Sequence, residues 1–327
     1  MNNIKFYIGP MTQNVIDSVI EVANEKKIKF GFCVSRRQID YDYGYVEDGI
    51  HKYDTSHFIQ YVRSKTSNVI IERDHSGINQ GKKIGPALYD MHSMLYDAFY
   101  NIDIIHIDPW KKFPSYFSGL RETINNIILI NQRNPNVLFE VGTEEAIFSY
   151  KHIDLHVLLK DLKYELGDIF KNIRYAVIQS GTGLMGTKNI GTFDLKRLQD
   201  MIAICKEFEI LSKEHNGDYL FDQEIKIRFD NGLDAINIAP EFGVLETKVL
   251  LDHIKNNIDF DKIYDICLNG GKWKKWVPKE FHVERDKTHL IEICGHYHNK
   301  QIKDIVNIDD EIIKAKLKEK LYSYTEL

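Results

Sequence analysis

The strongest constraint on the fold of this chain is a regular alternation between short apolar runs and longer amphipathic segments. The short runs are rich in Ile, Val and Phe and predict buried strands, whereas the segments between them carry apolar residues at helical spacing, such as Val15, Val19 and Val22. Strands that alternate with helices pair in parallel through right-handed crossovers. The eight predicted strands span residues 5–8, 30–34, 69–72, 102–107, 137–141, 175–179, 208–212 and 235–239.

Eight such units favour a closed (β/α)8 TIM barrel over an open doubly wound sheet. The first predicted strand is not followed by the G-x-G-x-x-G turn that is typical of the open arrangement. The 327 residues exceed the roughly 250 of a typical barrel. We therefore predict a barrel over residues 1–270 and a C-terminal helical extension over residues 271–327, packed on the barrel or on a partner chain. The extension contains an aromatic and basic segment, 272–278, and a charged amphipathic tail, 309–327.

Charge and cysteine content exclude several classes of protein. The formal net charge of −5 offers no basic footprint for nucleic acid, so an anionic small substrate would have to be held by local Lys, Arg and backbone amides. No run reaches the roughly 18 apolar residues of a membrane span. The four cysteines form no C-x-x-C pair, which disfavours a disulfide framework or a cysteine zinc site. We expect a cytoplasmic protein with no nucleic-acid or membrane partner.

Polar clusters follow the predicted strands, at the end of a barrel where active sites form. The third run closes on Arg73-Asp74-His75-Ser76. Because successive strand residues face opposite sides, we expect Asp74 and His75 to do different jobs, one binding a metal and the other reaching substrate. The alternative is a strand end capped by polar residues. The other clusters are 35–38, 106–108, 140–144, 179–181, 214–218 and 240–241.

Two histidines and an acid at these strand ends predict a divalent cation site. His75 and His215 with one carboxylate suit Zn or Mn acting as a Lewis acid on a carbonyl, although each histidine alone could equally have a structural role. Glu144 stands nearest the rim and is the candidate ligand or base, and Asp108 is a second candidate. Glu140 is expected to pair with a buried Lys or Arg, and His106 is expected to be a core histidine.

Two segments are candidates for phosphate binding. Of Arg36 and Arg37, one could contact phosphate in a bidentate manner while the other forms a surface ion pair. In the Gly-rich stretch 181–192, the backbone amides near Gly181 and Gly183 could cradle a phosphate with help from Lys188. The alternative is a mobile lid or a plain loop, and the absence of a Walker pattern disfavours nucleotide hydrolysis. The pair His296 and His298 lies outside the barrel series and is expected at the surface.

The order of these motifs resembles that of the GatZ/KbaZ family, named as the non-catalytic subunit of class II D-tagatose-1,6-bisphosphate aldolase. The resemblance spans roughly residues 5–300. VSRRQIDYDYGYVEDG is similar to the family's A-T-S-N-Q-V-N-Q-F-G-G-Y-T-G-M, and IIERDHSGINQG to its I-L-G-G-D-H-L-G-P-N. Further short segments resemble family motifs in the same order: IIHIDP, VGTEEA, IQSG, EHNGDYL and DAINIAPEFGVLET.

The resemblance implies a barrel of the class II aldolase type and assigns roles within it. Asp74 would transfer a proton, and His75 and His215 would bind zinc. The aldolase pattern has a third zinc histidine after the sixth strand, where 179–183 stand here, and Glu144 is expected to replace it. The remaining candidates for substrate contact, at strand ends or motif positions, are Gln38, Arg73, Gln179 and Asp218. Arg73 is also expected to favour the ionised form of Asp74.

Two functions are compatible with this resemblance. The first is a metal-dependent sugar-phosphate aldolase or 4-epimerase, which would act by carbonyl polarisation and an enediolate or retro-aldol step. The second is a non-catalytic subunit that stabilises a separate class II aldolase chain. The expected partners are a phosphorylated sugar and either further copies of this chain or an aldolase catalytic subunit. The extra arginines suggest a substrate more anionic than tagatose 6-phosphate.

Overall fold

Eight parallel strands close into a barrel in the computed structural model, which describes residues 4–81, 87–113, 115–143 and 151–327. The predicted (β/α)8 fold is confirmed. The barrel strands are β1 (Phe6–Ile8), β2 (Phe30–Ser35), β3 (Val69–Ser76), β4 (Ile104–Ile107), β5 (Leu138–Val141), β6 (Ile173–Ile178), β9 (Leu211–Glu214) and β10 (Ala235–Ile238). A short antiparallel hairpin follows β6 and consists of β7 (Leu184–Met185) and β8 (Lys188–Asn189). Around the barrel the order is β1-β10-β9-β6-β5-β4-β3-β2, so β1 and β2 complete the closure.

Helices connect the strands and surround the barrel. They are α1 (Gln13–Lys26), α2 (Thr55–Lys65), α3 (Ala87–Phe99), α4 (Tyr116–Arg133), α5 (His152–Leu166), α6 (Leu195–Glu207), α7 (Asp222–Asp230) and α8 (Pro240–Asp252). Side-chain caps fix several starts; Thr12 accepts a hydrogen bond from the amide of Val15, and Asp54 accepts one from the amide of His57. None of the helices in the described ranges has both the length and the apolar character needed to span a bilayer.

The seventh barrel strand lies further along the chain than predicted. Residues 208–212 are rich in apolar side chains, but Phe208 caps the C-terminus of α6 and Glu209 adopts a left-handed backbone with φ of 60°. The first residues of the predicted strand 208–212 therefore form the end of α6 and a turn, and β9 begins at Leu211. The later start is what carries Lys213 into the barrel and brings His215 directly to its C-terminal end.

The barrel interior contains a small core of its own, separate from the large apolar layer between strands and helices. Residues such as Tyr7, Cys33 and Tyr175 fill it, and the hydroxyls of Tyr7 and Tyr175 are 3.1 Å apart. Strand residues alternate between this interior and the helix-facing layer. The interior positions toward the C-terminal ends of the strands are polar, and these positions carry the candidate site.

The C-terminal region contains four helices, of which the last three pack on barrel helices and the first packs on two of those three. They are α9 (Asn257–Gly270), α10 (Lys287–Cys294), α11 (Asn299–Val306) and α12 (Asp310–Thr325). α12 packs along α1 and α8 and buries Leu317 and Leu321. α9 ends next to the predicted boundary at residue 270, and a 3-10 turn, Lys272–Lys275, follows it. Beyond that turn, the carbonyl of Trp276 accepts a hydrogen bond from the amide of Gly186 in the β7–β8 turn, at 2.7 Å.

His296 is buried, and its expected place on the surface is wrong. The residue has 2% of its surface exposed and lies in a 3-10 turn, Gly295–His298, that packs on α8. Its ring fits because the facing residue is Gly243, where an added Cβ would come within 2.7 Å of the imidazole. Burial lowers the pKa of His296 to about 3, so the imidazole is neutral.

Candidate functional site

Asp74 and His75 both face the C-terminal end of the barrel, although strict strand alternation would send them to opposite sides. Asp74 follows Glu72 on the interior face, as period-two spacing requires. His75 has a left-handed φ of 50°, and the pairing register of β3 with β4 shifts between Arg73 and Ser76. This local irregularity turns the imidazole back toward Asp74. The two side chains therefore reach one site, and their expected difference in role does not depend on opposite faces of the strand.

Four side chains converge at this end of the barrel, and we call them the histidine cluster: Asp74, His75, His106 and His215. One potential ligand atom from each lies within 4.8 Å of those of all the others. Oδ2 of Asp74 is 3.4 Å from Nε2 of His75, while Oδ1 is 3.6 Å from Nδ1 of His106 and 3.8 Å from Nδ1 of His215. The strands β3 and β4 and the residue after β9 supply the cluster.

Hydrogen bonds on the far side of two of these rings fix which nitrogen faces the cluster. Nδ1 of His75 lies 2.9 Å from Oδ2 of Asp108, and Nε2 of His106 lies 3.1 Å from the carbonyl oxygen of Gly142. A carbonyl oxygen only accepts, so Nε2 of His106 carries the proton and its Nδ1 presents a lone pair. Nδ1 of His106 also accepts a long hydrogen bond of 3.4 Å from the amide of His75.

His215 is oriented in the same way by a carboxylate inside the barrel. Its Nε2 lies 2.5 Å from Oε1 of Glu140, which turns Nδ1 toward Asp74. Oε2 of Glu140 accepts a hydrogen bond of 2.8 Å from Nζ of Lys213, and Lys213 also contacts Glu72. The predicted pairing of Glu140 with a buried cation is thus confirmed. All three histidines have an oxygen acceptor behind them, an arrangement that is common around protein metal ligands.

The interior charges beneath the cluster hold Glu140 ionised. Burial opposes this charge, but Lys213 and His215 outweigh burial and hold the pKa of Glu140 well below its usual range. Burial and the neighbouring Glu140 raise the pKa of Glu72 well above its usual value. Nζ of Lys213 also lies 3.7 Å from the ring centroid of Tyr7, a cation–π contact that helps to satisfy the buried ammonium.

Asp74 remains ionised despite its burial. Burial acts to raise its pKa, but the neighbouring imidazoles, His75 foremost, outweigh burial and lower the pKa below the ordinary value of an aspartic acid. Its Oδ1 is buried and makes no hydrogen bond within the described part of the chain. A buried carboxylate oxygen without a donor is costly, so the cluster is arranged to receive a cation or a substrate donor.

A cavity of about 260 Å³ opens above the cluster, a size that suits a small metabolite. Its deeper part is lined by the buried residues His215, Asp218 and Asn237 and by Asp74, whose side chain is 14% exposed. The amide side chain of Asn237 has neither its nitrogen nor its oxygen hydrogen-bonded in the described structure. The exposed part of the lining carries three cationic residues, Arg37, Lys111 and Lys275, together with the aromatic side chains of Tyr45, Trp276 and Tyr297.

Two of the predicted substrate-contact residues line this cavity. Gln38 and Asp218 are buried in its wall. Oε1 of Gln38 accepts a hydrogen bond from the amide of Ser35, and Oδ1 of Asp218 accepts two from the amides of Ala239 and Glu241 at 2.9 and 2.8 Å. Burial and the nearby charge of Glu241 raise the pKa of Asp218 well above its usual value.

Two predicted arginine contacts are structural instead. Arg73 is fully buried and forms a bidentate ion pair with Asp97 at 2.7 and 2.9 Å, with further bonds to the carbonyl oxygens of Val34 and Ile39. Arg36 is buried as well, and its guanidinium pairs with Asp40 and Asp90. Both side chains lie outside the cavity lining. Of the two adjacent arginines, Arg37 is the one that reaches the cavity.

The Gly-rich loop does not form the expected phosphate cradle. The amides of Gly183 and Gly191 both donate to Oδ1 of Asn189, at 3.1 and 3.2 Å, so the loop closes on itself. The loop reaches the cavity through Leu184, and neither Gly181 nor Lys188 lines it. Gln179 also points elsewhere, donating to the carbonyl oxygen of Thr143 at 2.7 Å.

The third imidazole of the cluster comes from an unexpected strand. The aldolase pattern places it after the sixth strand, and sequence reasoning proposed Glu144 as its replacement; Glu144 lies outside the described residues. His106 on β4 stands in the cluster instead. Its period-two spacing from Asp108 was visible in the sequence, but its place within an apolar run indicated a core residue. Asn237 was missed for the same reason, since it lies within the apolar strand β10.

Comparison with known proteins identifies the fold but no sequence family. No family model matches the chain, and no curated protein matches it. Among solved structures, a probable tagatose 6-phosphate kinase from Sinorhizobium meliloti 1021 is similar at a TM-score of 0.71 and 15% identity, with 98% of this chain and 93% of that chain covered. The fructuronate-tagaturonate epimerase UxaE from Cohnella laeviribosi is similar at a TM-score of 0.64 and 10% identity, with 99% of this chain and 81% of that chain covered. Fructose-bisphosphate aldolase from Campylobacter jejuni is similar at a TM-score of 0.55 and 13% identity, with 98% of this chain and 90% of that chain covered.

Proposed function

We propose that this protein is a metal-dependent enzyme of sugar-phosphate metabolism, an aldolase or 4-epimerase that acts next to a carbonyl group. The observation that carries the proposal is the histidine cluster, in which three imidazoles anchored from behind converge on one carboxylate. The motif resemblance to the GatZ/KbaZ family supports the choice of reaction. So does the occurrence of the fold in an aldolase and in a sugar-acid epimerase.

The residues present fit a divalent cation. His75, His106 and His215 would hold it, since neutral imidazoles are good ligands for Zn and Mn, and a three-histidine site with an open position is typical of catalytic zinc. The buried Oδ1 of Asp74, which makes no hydrogen bond in the described structure, adds the negative charge that such a cation needs nearby. A bound cation would supply Lewis acidity toward the carbonyl oxygen of the substrate.

The chain's own residues would perform the proton transfer and the positioning. Asp74 is ionised and lines the cavity, so it would take the proton of the C4 hydroxyl while the C3–C4 bond breaks and its electron pair passes to the enediolate, and it would return that proton when the bond forms again. Asp108 and Glu140 would keep His75 and His215 in the tautomers that face the substrate. The amide of Asn237 would pair with a substrate hydroxyl, because both of its polar atoms face a cavity without other partners in the described structure.

Metal analysis combined with an activity screen tests this proposal. Purified protein should contain or bind about one Zn or Mn per chain, and His75→Ala should lose most of it. His51→Ala, which removes an exposed histidine, should retain it. Phosphorylated ketoses, followed by NMR, should yield an epimer or triose products with the wild-type protein and not with His75→Ala. A wild-type chain that binds no divalent metal and converts no sugar phosphate would contradict the proposal.

A second candidate function is that of a non-catalytic subunit which stabilises a class II aldolase chain. Exposed apolar side chains on two neighbouring helices favour it: Leu88, Tyr89 and Phe99 on α3, and Phe117 on α4. Such residues can mark a surface that a partner covers. Co-expression with a class II aldolase should then give a stable complex, and this chain alone should show no turnover. A monomer that is active alone would exclude this function.

A further inference from the structure

The C-terminal extension supplies part of the cavity wall. Lys275, Trp276 and Tyr297 all line the cavity above the histidine cluster, although they are about 200 residues away from Asp74 in sequence. Lys275 ends the 3-10 turn that follows α9, and Trp276 is the next residue. The outer part of the candidate site is thus built by a segment that does not belong to the barrel.

The β7–β8 hairpin fixes the backbone of this segment. The amide of Gly186 donates to the carbonyl oxygen of Trp276 at 2.7 Å. Gly186 has a φ of 59°, and an added Cβ there would lie 2.9 Å from Nε2 of His289 on α10. The left-handed backbone therefore favours glycine at the contact point. This contact joins the barrel loop to the extension beside the cavity.

The Lys275 ammonium is positioned by its neighbour. Nζ of Lys275 lies 3.9 Å from the centroid of the Trp276 ring, well within the range of a cation–π contact. A lysine side chain normally loses considerable rotamer freedom when it binds a ligand. A ring that already restrains the ammonium reduces this loss, so the charge is partly preorganised for a ligand.

The charges of the cavity are divided between its two parts. The exposed part carries Arg37, Lys111 and Lys275, whereas the carboxyl groups of the lining lie deeper: Asp218 is buried and the Asp74 side chain is 14% exposed. A substrate whose carbonyl end lies at the histidine cluster would therefore direct an anionic group toward the exposed cations. The closed Gly-rich loop offers no competing cradle through the amides of Gly183 and Gly191, which Asn189 occupies.

We infer that Lys275, positioned by the Trp276 ring, binds the phosphate of the substrate at the end remote from the histidine cluster and so determines specificity for phosphorylated over neutral sugars. Trp276 is a positioning residue in this arrangement. The inference deepens the proposed function by naming the residues that select the substrate class, and it rests on that function for the location of the carbonyl end. It concerns binding and can be measured without turnover.

Matched lysine variants test the inference. Binding of fructose 6-phosphate and of fructose would be measured by calorimetry for the wild-type protein, Lys275→Met and Lys274→Met. Lys274 is the adjacent exposed lysine outside the cavity lining. Lys275→Met should weaken fructose 6-phosphate binding about tenfold or more, as expected for the loss of one charge-assisted contact. Fructose binding should be unchanged, and Lys274→Met should behave like the wild type.

Ring variants test the positioning role of Trp276. Trp276→Phe keeps an aromatic face and should retain most of the affinity for fructose 6-phosphate, whereas Trp276→Leu should lose affinity in the same direction as Lys275→Met. If the chain turns over sugar phosphates, Lys275→Met should raise KM and leave kcat nearly unchanged.

Three results would overturn the inference: a wild-type chain that does not bind fructose 6-phosphate, equal affinity in Lys275→Met, or equal losses for fructose and its phosphate. Failure of the proposed function is distinguishable from these outcomes. If no sugar phosphate is turned over but Lys275→Met still loses phosphate-dependent binding, the reaction is wrong and the inference stands. If turnover occurs with an unchanged KM in Lys275→Met, the reaction stands and the inference is wrong.

Discussion

Each histidine of the cluster uses one ring nitrogen for support and turns the other inward. For His75 the support is Asp108, a nearly fully buried carboxylate whose Oδ2 lies 2.9 Å from Nδ1 and also accepts a hydrogen bond from Gln80 at 3.3 Å. Asp108 is therefore placed to orient a ligand. Its predicted role as a catalytic base would require contact with substrate, and its side chain lies outside the cavity lining.

Two substitutions at Asp108 separate these roles. Asp108→Ala should lower metal affinity about 10- to 100-fold, because supporting hydrogen bonds of metal ligands contribute on that scale. Asp108→Asn keeps an acceptor oxygen for Nδ1 of His75 and should recover most of the affinity. Competition with a chromophoric chelator measures both, and Asp168→Ala, at an exposed acid, is the control. Activity lost equally in Asp108→Asn and Asp108→Ala, with metal retained in the former, would instead indicate a base.

The conformations of single residues limited how much of the site could be predicted from the sequence. The pairing of Glu140 with a buried cation followed from the simple rule that a charge inside a barrel needs a partner. The joint orientation of Asp74 and His75 could not be predicted, because it depends on one left-handed residue and one register shift. His106 was assigned to the core for a related reason. From the sequence, a histidine within an apolar strand cannot be distinguished as a core residue bonded to the backbone or as a residue whose second ring nitrogen faces a ligand site.

At the scale of elements, the docking of α12 on α1 combines an apolar contact with ion pairs. Leu317 and Leu321 are fully buried, and Glu21 of α1 pairs with Lys314 at 3.0 Å and with Lys318. Burial is the largest single influence and opposes the charge of Glu21, but the hydrogen bonds to Lys318 and Lys314 and the charges of both lysines together outweigh burial and lower its pKa. A carboxylate whose pKa is lower in the folded state stabilises the fold above its unfolded pKa, and this contribution is lost as the pH falls through the folded value.

The contribution of Glu21 should therefore depend on pH. Glu21→Gln should destabilise the protein by less than about 1 kcal/mol at neutral pH, since the pair is partly exposed and screened by solvent. The difference from the wild type should shrink as the pH is lowered below about 4. Urea unfolding of the two proteins at several pH values measures this, with the exposed Glu165→Gln as control. A difference that stays constant down to low pH would mean that the charge of Glu21 contributes nothing.

The elements themselves were largely predictable, because hydrophobic periodicity reflects local burial. Seven of the eight predicted strands overlap the observed ones closely. The remaining one, predicted at 208–212, is observed further along the chain as β9 (Leu211–Glu214). The displacement arises at Phe208 and Glu209, where the end of α6 and a left-handed turn use residues that an apolar pattern assigns to a strand. Periodicity cannot distinguish a helix cap from a strand start when both are apolar.

At the scale of the whole molecule, the candidate site joins parts of the chain that no local pattern connects. Asp74, His106 and His215 come from three separate β/α units, and Lys275 returns from the extension to the same cavity. Once the barrel fold is known, the convergence of Asp74, His106 and His215 is predictable, since the C-terminal ends of all strands lie at one rim. The path of the extension was not predictable, because it depends on the packing of α9 and α10 and on the contact between Gly186 and Trp276.

Metal removal should lower the stability of the entire barrel, because the cluster residues converge only in the native state. An ion at about 100 times its dissociation constant stabilises a native protein by about 2.7 kcal/mol if the unfolded chain does not bind it. A chelator should therefore lower the Tm of the wild-type protein by several degrees, and added Zn or Mn should restore it. The Tm of His215→Ala should respond little to either treatment, because a ligand is missing, while His51→Ala should respond like the wild type. A wild-type Tm that is the same with chelator and with metal would show that the histidine cluster is satisfied by hydrogen bonds alone.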